Sequence, residues 1–203
     1  MGTRMTGAER RAAIVDAAIH LFAEKGFRGA TTRGLASALG VSGPMLYRHF
    51  KTKEDLYRAI IETKSQQDDE QLAGLALLEE AGDDRAFFRY MGTRMLARYD
   101  EDPDFMRLLL FSALERHEMA DLFFERQMLQ YFTIVSRYIQ SRIDSGRFRR
   151  MDAAIAARGF NGMVIYHGLM RLLFGTRVIG RSREDLVNEM VETFLHGVCR
   201  NPA

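Results

Sequence analysis

The stretch from Thr31 to Lys53, TTRGLASALGVSGPMLYRHFKTK, leaves this chain the fewest ways to fold. Thr31 or Thr32 suits a helix N-cap, because a short hydroxyl accepts a bond from an otherwise unpaired backbone N–H. Leu35, Ala36 and Leu39 then give that helix one apolar face. Gly40 follows where a helix end favours a residue free to take positive φ. Val41 is placed to plug the gap to a second helix. Ser42 is a new N-cap, and Pro44 falls in the first turn, where its missing N–H costs nothing. The second helix, starting at about Gly43, carries Leu46 and Phe50 inward and turns Tyr47, Arg48 and His49 to other faces. Two short helices joined by a glycine turn are the geometry of a helix-turn-helix, whose second helix enters the DNA major groove.

The flanks extend the pattern. Thr6 and Glu9 form a capping box, and Ile14, Ala17, Ala18, Leu21 and Phe22 make an apolar stripe that Gly26 stops. Thr52 caps a fourth helix, with Glu54 and Asp55 in its first turn. It is predicted to run as one piece to about Leu78 and to connect the basic segment to the body. Further helices are expected around Phe87–Leu96, over Asp104–His117, from Glu118 to Ser145, from Asp152 to Phe174 and from Ser182 to Val198. No stretch alternates as a strand does. The fold class is all-α, about nine helices in total. Residues 1–52 are expected to form a three-helix helix-turn-helix domain, and residues 53–203 a larger helical body.

The run from Arg11 to Leu56 resembles the DNA-binding domain of the TetR family of bacterial transcriptional regulators. The matching elements are AA-x-x-LF-x-x-x-GF, TT, LA-x-x-LGVS, LYRHF and K-x-x-L, in order and at the family's spacing. The resemblance implies that Arg33, Pro44, Met45 and Arg48 approach base edges or phosphates. Arginine can bond guanine O6 and N7 together, and a methionine can touch a thymine methyl. It implies a phosphate-binding role for Thr31, Thr32, Ser42, Tyr47, His49 and Lys53, whose hydroxyls, helix-start N–H groups and ammonium suit that task. For Arg33, Pro44, Met45 and Arg48 a solvated surface role is the alternative, and for Tyr47 a partly structural one, filling the gap between helices. Gly43 departs from the family pattern, in which a polar side chain is common, so it offers no base contact of its own.

Charge agrees with this division. Residues 1–60 carry ten Lys/Arg against five Asp/Glu, a charge of +5, while the rest carries 19 against 22, or −3. A basic segment on a mildly acidic body suits a polyanion partner for that segment alone. The single cysteine, Cys199, excludes an internal disulfide and a Cys-rich zinc site, which fits the cytoplasm. The most apolar stretch, Gly159 to Gly175, is interrupted by Asn161, His167 and Arg171, so no membrane partner is expected. His117-Glu118 opens like a zinc-protease motif, but Asp121 stands where the second histidine is required. The acidic run Asp100, Glu101, Asp102, Asp104 lacks the glycine and terminal glutamate of a calcium loop. No metal and no cofactor are expected.

The body is rich in methionine and aromatic residues. Phe88, Met91, Met95, Phe111, Phe124, Met128, Phe160 and Met163 are candidates for an effector cavity, an expectation that rests on the resemblance; plain core packing is the competing role. The helix from Asp152 to Phe174 is apolar nearly all round, so it needs cover on more than one face. Phe160, Met163, His167, Met170 and Phe174, with Met190, Val191, Phe194 and Val198 of the last helix, are expected to form a homodimer interface. Gly159, Gly162 and Gly168 are read as sites of close helix approach. Three functions compete: a repressor released from a palindromic operator by a small apolar or amphipathic ligand, a DNA-binding scaffold without small-molecule input, and a small all-α enzyme. Against the enzyme, the sequence holds no phosphate loop, dinucleotide fingerprint, nucleophile elbow or complete metal motif.

Overall fold

A computed structural model of the chain describes residues 5–66, 69–116, 118–175 and 180–199; His117 lies outside them, as do residues 67–68 within the expected fourth helix. The described residues form eleven α-helices: α1 (Gly7–Gly29), α2 (Thr32–Ala38), α3 (Gly43–His49), α4 (Lys53–Gln66), α5 (Asp69–Ala81), α6 (Asp84–Glu101), α7 (Pro103–Leu114), α8 (Glu118–Phe123), α9 (Leu129–Asp144), α10 (Ala153–Phe174) and α11 (Arg183–Val198). The count exceeds nine for two reasons. The expected helix from Thr52 to Leu78 is described as α4 and α5, and that from Glu118 to Ser145 is interrupted by a π-helical turn, Phe124–Met128. No described helix is long and apolar enough to cross a membrane.

Local chemistry sets most of the ends. Thr6 and Glu9 close a capping box on α1, Asp83 caps α6, Asp152 caps α10 and Ser182 caps α11. Thr52 and Asp55 bond each other's backbone N–H groups at the start of α4. Gly26 does not end α1 outright. It takes φ 66° inside the helix, which resumes for one more turn to Gly29. Glycine suits the site because side chains rarely adopt that positive φ, and a Cβ there would also have to displace the Glu115 carboxylate, 2.7 Å away.

Compactness divides the chain into two units, Met1–Gln67 with Asp104–Phe124, and Asp68–Pro103 with Glu125–Ala203. A single cut after residue 52 marks the end of the helix-turn-helix; compactness is a different criterion, and it adds α4, α7 and α8 to the first three helices. The first unit is built on an aromatic trio. Phe22, Phe27 and Tyr57 lie 5.2 to 5.7 Å apart between ring centroids. Around them Ile14, Ala18, Leu35, Leu46, Phe50, Leu56, Ile60, Phe105, Leu108 and Phe123 are buried. The Tyr57 hydroxyl bonds Ser112 Oγ, whose own proton goes to Leu108 O at 2.8 Å, so this buried polar pair fixes α7 against α4. Lys53 holds the end of α1. Its ammonium donates to Phe27 O at 2.6 Å and Ala30 O at 3.2 Å, and stands 4.1 Å over the Phe27 ring. A cation on a helix's last carbonyls satisfies orphan acceptors and the negative end of the dipole together.

The second unit packs Phe88 against Phe160 and Phe194, at 4.9 and 4.8 Å, and stacks Phe87 on Tyr138 at 3.8 Å. Its polar hub is Asp84, 6% exposed. That carboxylate accepts from Tyr138 Oη at 2.8 Å, Arg142 Nε at 2.6 Å and Arg147 Nε at 2.7 Å, while Arg142 also donates to Gly82 O. The start of α6 is thereby tied to the end of α9 and the turn after it. The acidic run at the end of α6 is ion-paired: Asp100 meets Arg171 and Arg183, each at 3.0 Å, and Glu101 meets Arg183 at 3.1 Å.

Two predictions follow from these anchors. Burial by itself raises the pKa of Asp84, but the bonds from Arg147, Tyr138 and Arg142 outweigh it and hold the carboxyl below its ordinary value. Its stabilisation is therefore complete above the unfolded carboxylate pKa of about 4 and is lost as pH falls through the lower native value. Asp84→Asn should lower unfolding free energy at neutral pH by about 3 kcal/mol. In urea titrations taken to progressively lower pH, the variant should lose less further stability than wild type; parallel losses would show that Asp84 is not the titrating anchor. Lys53→Ala should cost about 2 kcal/mol, seen as a lower urea midpoint at unchanged slope.

Candidate nucleic-acid interface

The helix-turn-helix forms as its residues dictate. Thr31 Oγ1 accepts from Gly34 N–H at 3.0 Å and caps α2. Gly40 takes φ 61°, and Val41 N–H closes the turn on Ala36 O at 3.0 Å. Ser42 is the N-cap of α3, yet its side chain makes no capping bond. Its hydroxyl is exposed and makes no bond within the helix start, whereas Pro44 has no N–H and the Met45 N–H already bonds Ser42 O at 3.0 Å, so the hydroxyl is the group left open to a phosphate. An α-helix is about 10–12 Å across with its side chains, a width that a major groove of about 12 Å admits.

Burial sorts the expected contact residues. Leu46 and Phe50 are 2% and 4% exposed and face inward. Thr31, Arg33, Ser42, Pro44, Tyr47 and Arg48 are exposed, and Thr32, Met45 and His49 half-buried. Tyr47 keeps 51% of its surface, so it does not fill the gap between helices. His49 Nε2 is buried without a hydrogen-bond partner. Lys53 also has a structural role. Its ammonium is held by Phe27 O and Ala30 O, so it serves the end of α1 and has one N–H left for a phosphate.

Two residues escaped the sequence reading. Arg10 Nη1 donates to Met45 Sδ at 3.2 Å, and the Arg11 guanidinium lies 4.8 Å over the Phe50 ring. Both reach from α1 to α3. One signal was available: two arginines stand early in α1, where the helix dipole disfavours cations.

The expected effector residues do not come together as one set. Phe88, Met91 and Phe160 are at most 1% exposed and belong to the core of the second unit. Phe111 and Phe124 belong to the first unit and are partly exposed, and Met95, Met128 and Met163 keep some surface in the second. The interface list needs a larger correction. Phe160, His167, Val191, Phe194 and Val198 are buried within the chain's own core, none above 7% exposed, so they cannot meet a second copy. The α10 face that remains open carries Ile155, Tyr166, Leu173 and Phe174, at 70, 65, 50 and 60% exposure. Only Phe174 of these was anticipated. Gly168 is filled by the Tyr99 ring of the same chain, whereas nothing stands within 4 Å of a Cβ at Gly159 or Gly162.

Comparison with known proteins assigns the chain. The family model described as "Bacterial regulatory proteins, tetR family" matches residues 14–60, and that of the "AefR-like transcriptional repressor, C-terminal domain" matches residues 92–197. The HTH-type transcriptional regulator YvkB of Bacillus subtilis (strain 168) is 24% identical over 190 residues, 91% of this chain and 95% of its own. A TetR-like transcriptional regulator from Rhodococcus sp. RHA1 superposes with a TM-score of 0.72 at 20% identity, over 96% of this chain and all of its own. The structure of AibR in complex with isovaleryl coenzyme A and operator DNA superposes with a TM-score of 0.71 at 20% identity, over 91% of this chain and 97% of that one. At such identities the superpositions establish the fold, and the family models carry the assignment. These relatives are regulators of transcription, not enzymes. This chain belongs to the TetR family of bacterial transcriptional regulators.

Proposed function

We propose that this regulator is a dimeric repressor that reads a palindromic operator through paired α3 helices and is released by a small effector. The observation that carries the reading is the placement of Arg33, Tyr47 and Arg48 on the open side of a helix-turn-helix whose inner side is closed by Leu35, Leu46 and Phe50. The +5 charge of residues 1–60 supplies the counterion-release drive that any duplex rewards, and the side chains on α3 supply the choice among sequences. Its place of action is then the cytoplasm.

The open face of α10 supports the dimer. Ile155, Gly159, Gly162, Tyr166, Leu169 and Leu173 follow one another at alternating steps of four and three, the spacing of a helix-packing seam. An apolar strip of this kind calls for cover, and two glycines with open space above them admit a close neighbour. A second copy related by a two-fold axis covers it with the same strip, α11 completing a four-helix arrangement. Such a dimer presents two recognition helices to half-sites about 34–36 Å apart or a multiple of that.

AibR carries an acyl-coenzyme A and operator DNA in one structure, which supports an amphipathic effector here. Within the second unit Met95, Met128 and Met163 retain surface for it. Release demands that the effector favour the DNA-incompetent state, since only that difference in affinity shifts the equilibrium. The close packing of Phe88, Phe160 and Phe194 favours a second reading, a DNA-binding scaffold with no effector. A small-molecule screen for operator release separates the two.

Arg33→Ala and Arg48→Ala should each weaken binding to a selected operator by about 1–3 kcal/mol and relax preference at their own base pairs. Filter-binding curves that superpose on wild type would falsify the assignment of this face. Tyr166→Glu combined with Leu173→Glu should turn a micromolar dimer into a monomer by sedimentation, with helix content retained; a monomeric wild type removes the dimer.

A further inference from the structure

We propose that Arg10 is a positioning residue for base recognition, acting through Met45; the inference rests on the reading of α3 as the DNA-reading helix. Met45 stands in the second half-turn of α3 and is half-buried. Its side chain has three rotatable bonds, so an isolated Met45 presents its terminal methyl in many directions. Arg10 Nη1 donates to the Met45 sulfur at 3.2 Å, bridging 35 residues of sequence. That bond fixes the position of the sulfur toward α1 and leaves the methyl only the rotation about Cγ–Sδ. A guanidinium is suited to this, because its planar fork is pre-organised and loses little freedom per bond formed.

Two further observations support the role. Arg11 lies over the Phe50 ring, so α1 is fastened to α3 at two points, one near each end of that short helix. A brace with two points fixes rotation as well as position. Arg10 also does nothing for α1 itself: the capping box of Thr6 and Glu9 stabilises the helix start, and a cation so near the positive end of the dipole is unfavourable. An apolar contact to a thymine methyl depends on where the methionine methyl points. Arg10 thus sets a preference at a base pair without touching it.

The test is selection of bound duplexes from a random library by wild type, Arg10→Ala, Met45→Leu and the double variant, each first checked for native helix content by circular dichroism. Met45→Leu keeps the volume and removes the sulfur acceptor. In Arg10→Ala, one base-pair position per half-site should lose discrimination by about three- to tenfold. The same position should relax in Met45→Leu, the double variant should be no worse than either single, and the salt dependence should keep its slope. Unchanged preference in Arg10→Ala overturns the proposal. So does a salt slope shallower by about 0.9 with preference intact, which makes Arg10 a phosphate contact. Losses at two different positions that add in the double variant overturn it as well. Should Arg10→Ala lose helix content, Arg10→Met, which keeps the apolar stem and removes the donor, is read in its place. If wild type enriches no sequence, the reading of α3 has failed, and the result is distinct from wild-type enrichment that Arg10→Ala leaves untouched.

Discussion

Leu46 and Phe50 stand four residues apart, one turn of helix, and both are buried against the first unit's core. A helix of seven residues has no stability of its own, since isolated helices need about 12–15 residues before they are even marginal. Burial of one leucine and one phenylalanine, about 2–3 kcal/mol each, is what makes α3 a helix. The same two side chains fix its rotation. With 100° between successive residues, an inward Leu46 and Phe50 leave Tyr47 and Arg48 on the open side. The residues that would meet DNA are therefore aimed by residues that never touch it.

Buried polar groups define the two units at points the chain reaches only after long detours. Tyr57 and Ser112 are 55 residues apart, and Asp84 and Tyr138 are 54 apart. Each pair lies among apolar side chains, where an unmet hydroxyl or carboxylate carries a penalty of a few kcal/mol. Such groups add little net stability when satisfied, but they make any other packing of the same helices expensive. Apolar contacts between amphipathic helices tolerate sliding by a turn. A carboxylate that must meet three donors does not.

The parts legible in sequence are those whose chemistry is local. Thr6, Thr31 and Thr52 cap the helices they were expected to cap, because a cap is a contract between neighbours in sequence. The apolar face of α3 was readable for the same reason: period and spacing suffice when a helix has one apolar side. On α10 that logic failed. The helix is apolar on several sides, so periodicity could not say that Phe160 and His167 face the chain's own core while Ile155 and Tyr166 face out. The hold of Lys53 on the end of α1 was not legible, because a flexible ammonium goes to whichever acceptors lie in reach, and the carbonyls of Phe27 and Ala30 come from another helix. The π-helical turn after α8 has no signal in residue type at all.

Function and compactness set different boundaries along this chain. The helix-turn-helix is complete at Phe50, the C-cap of α3. Its core does not end there. Without α4, Phe22 and Phe27 lose Tyr57, and the end of α1 loses the ammonium of Lys53. Without α7, the Tyr57 hydroxyl loses Ser112 and the kink at Gly26 loses the Glu115 carboxylate packed over it. The three N-terminal helices are thus a reading head whose shape is maintained by helices from beyond it, one of them over a hundred residues into the chain. Any change that shifts α7 acts on the same hydrophobic core that aims Tyr47 and Arg48, because in this fold the support of the recognition helix and its sequence-distant helices are one packed body.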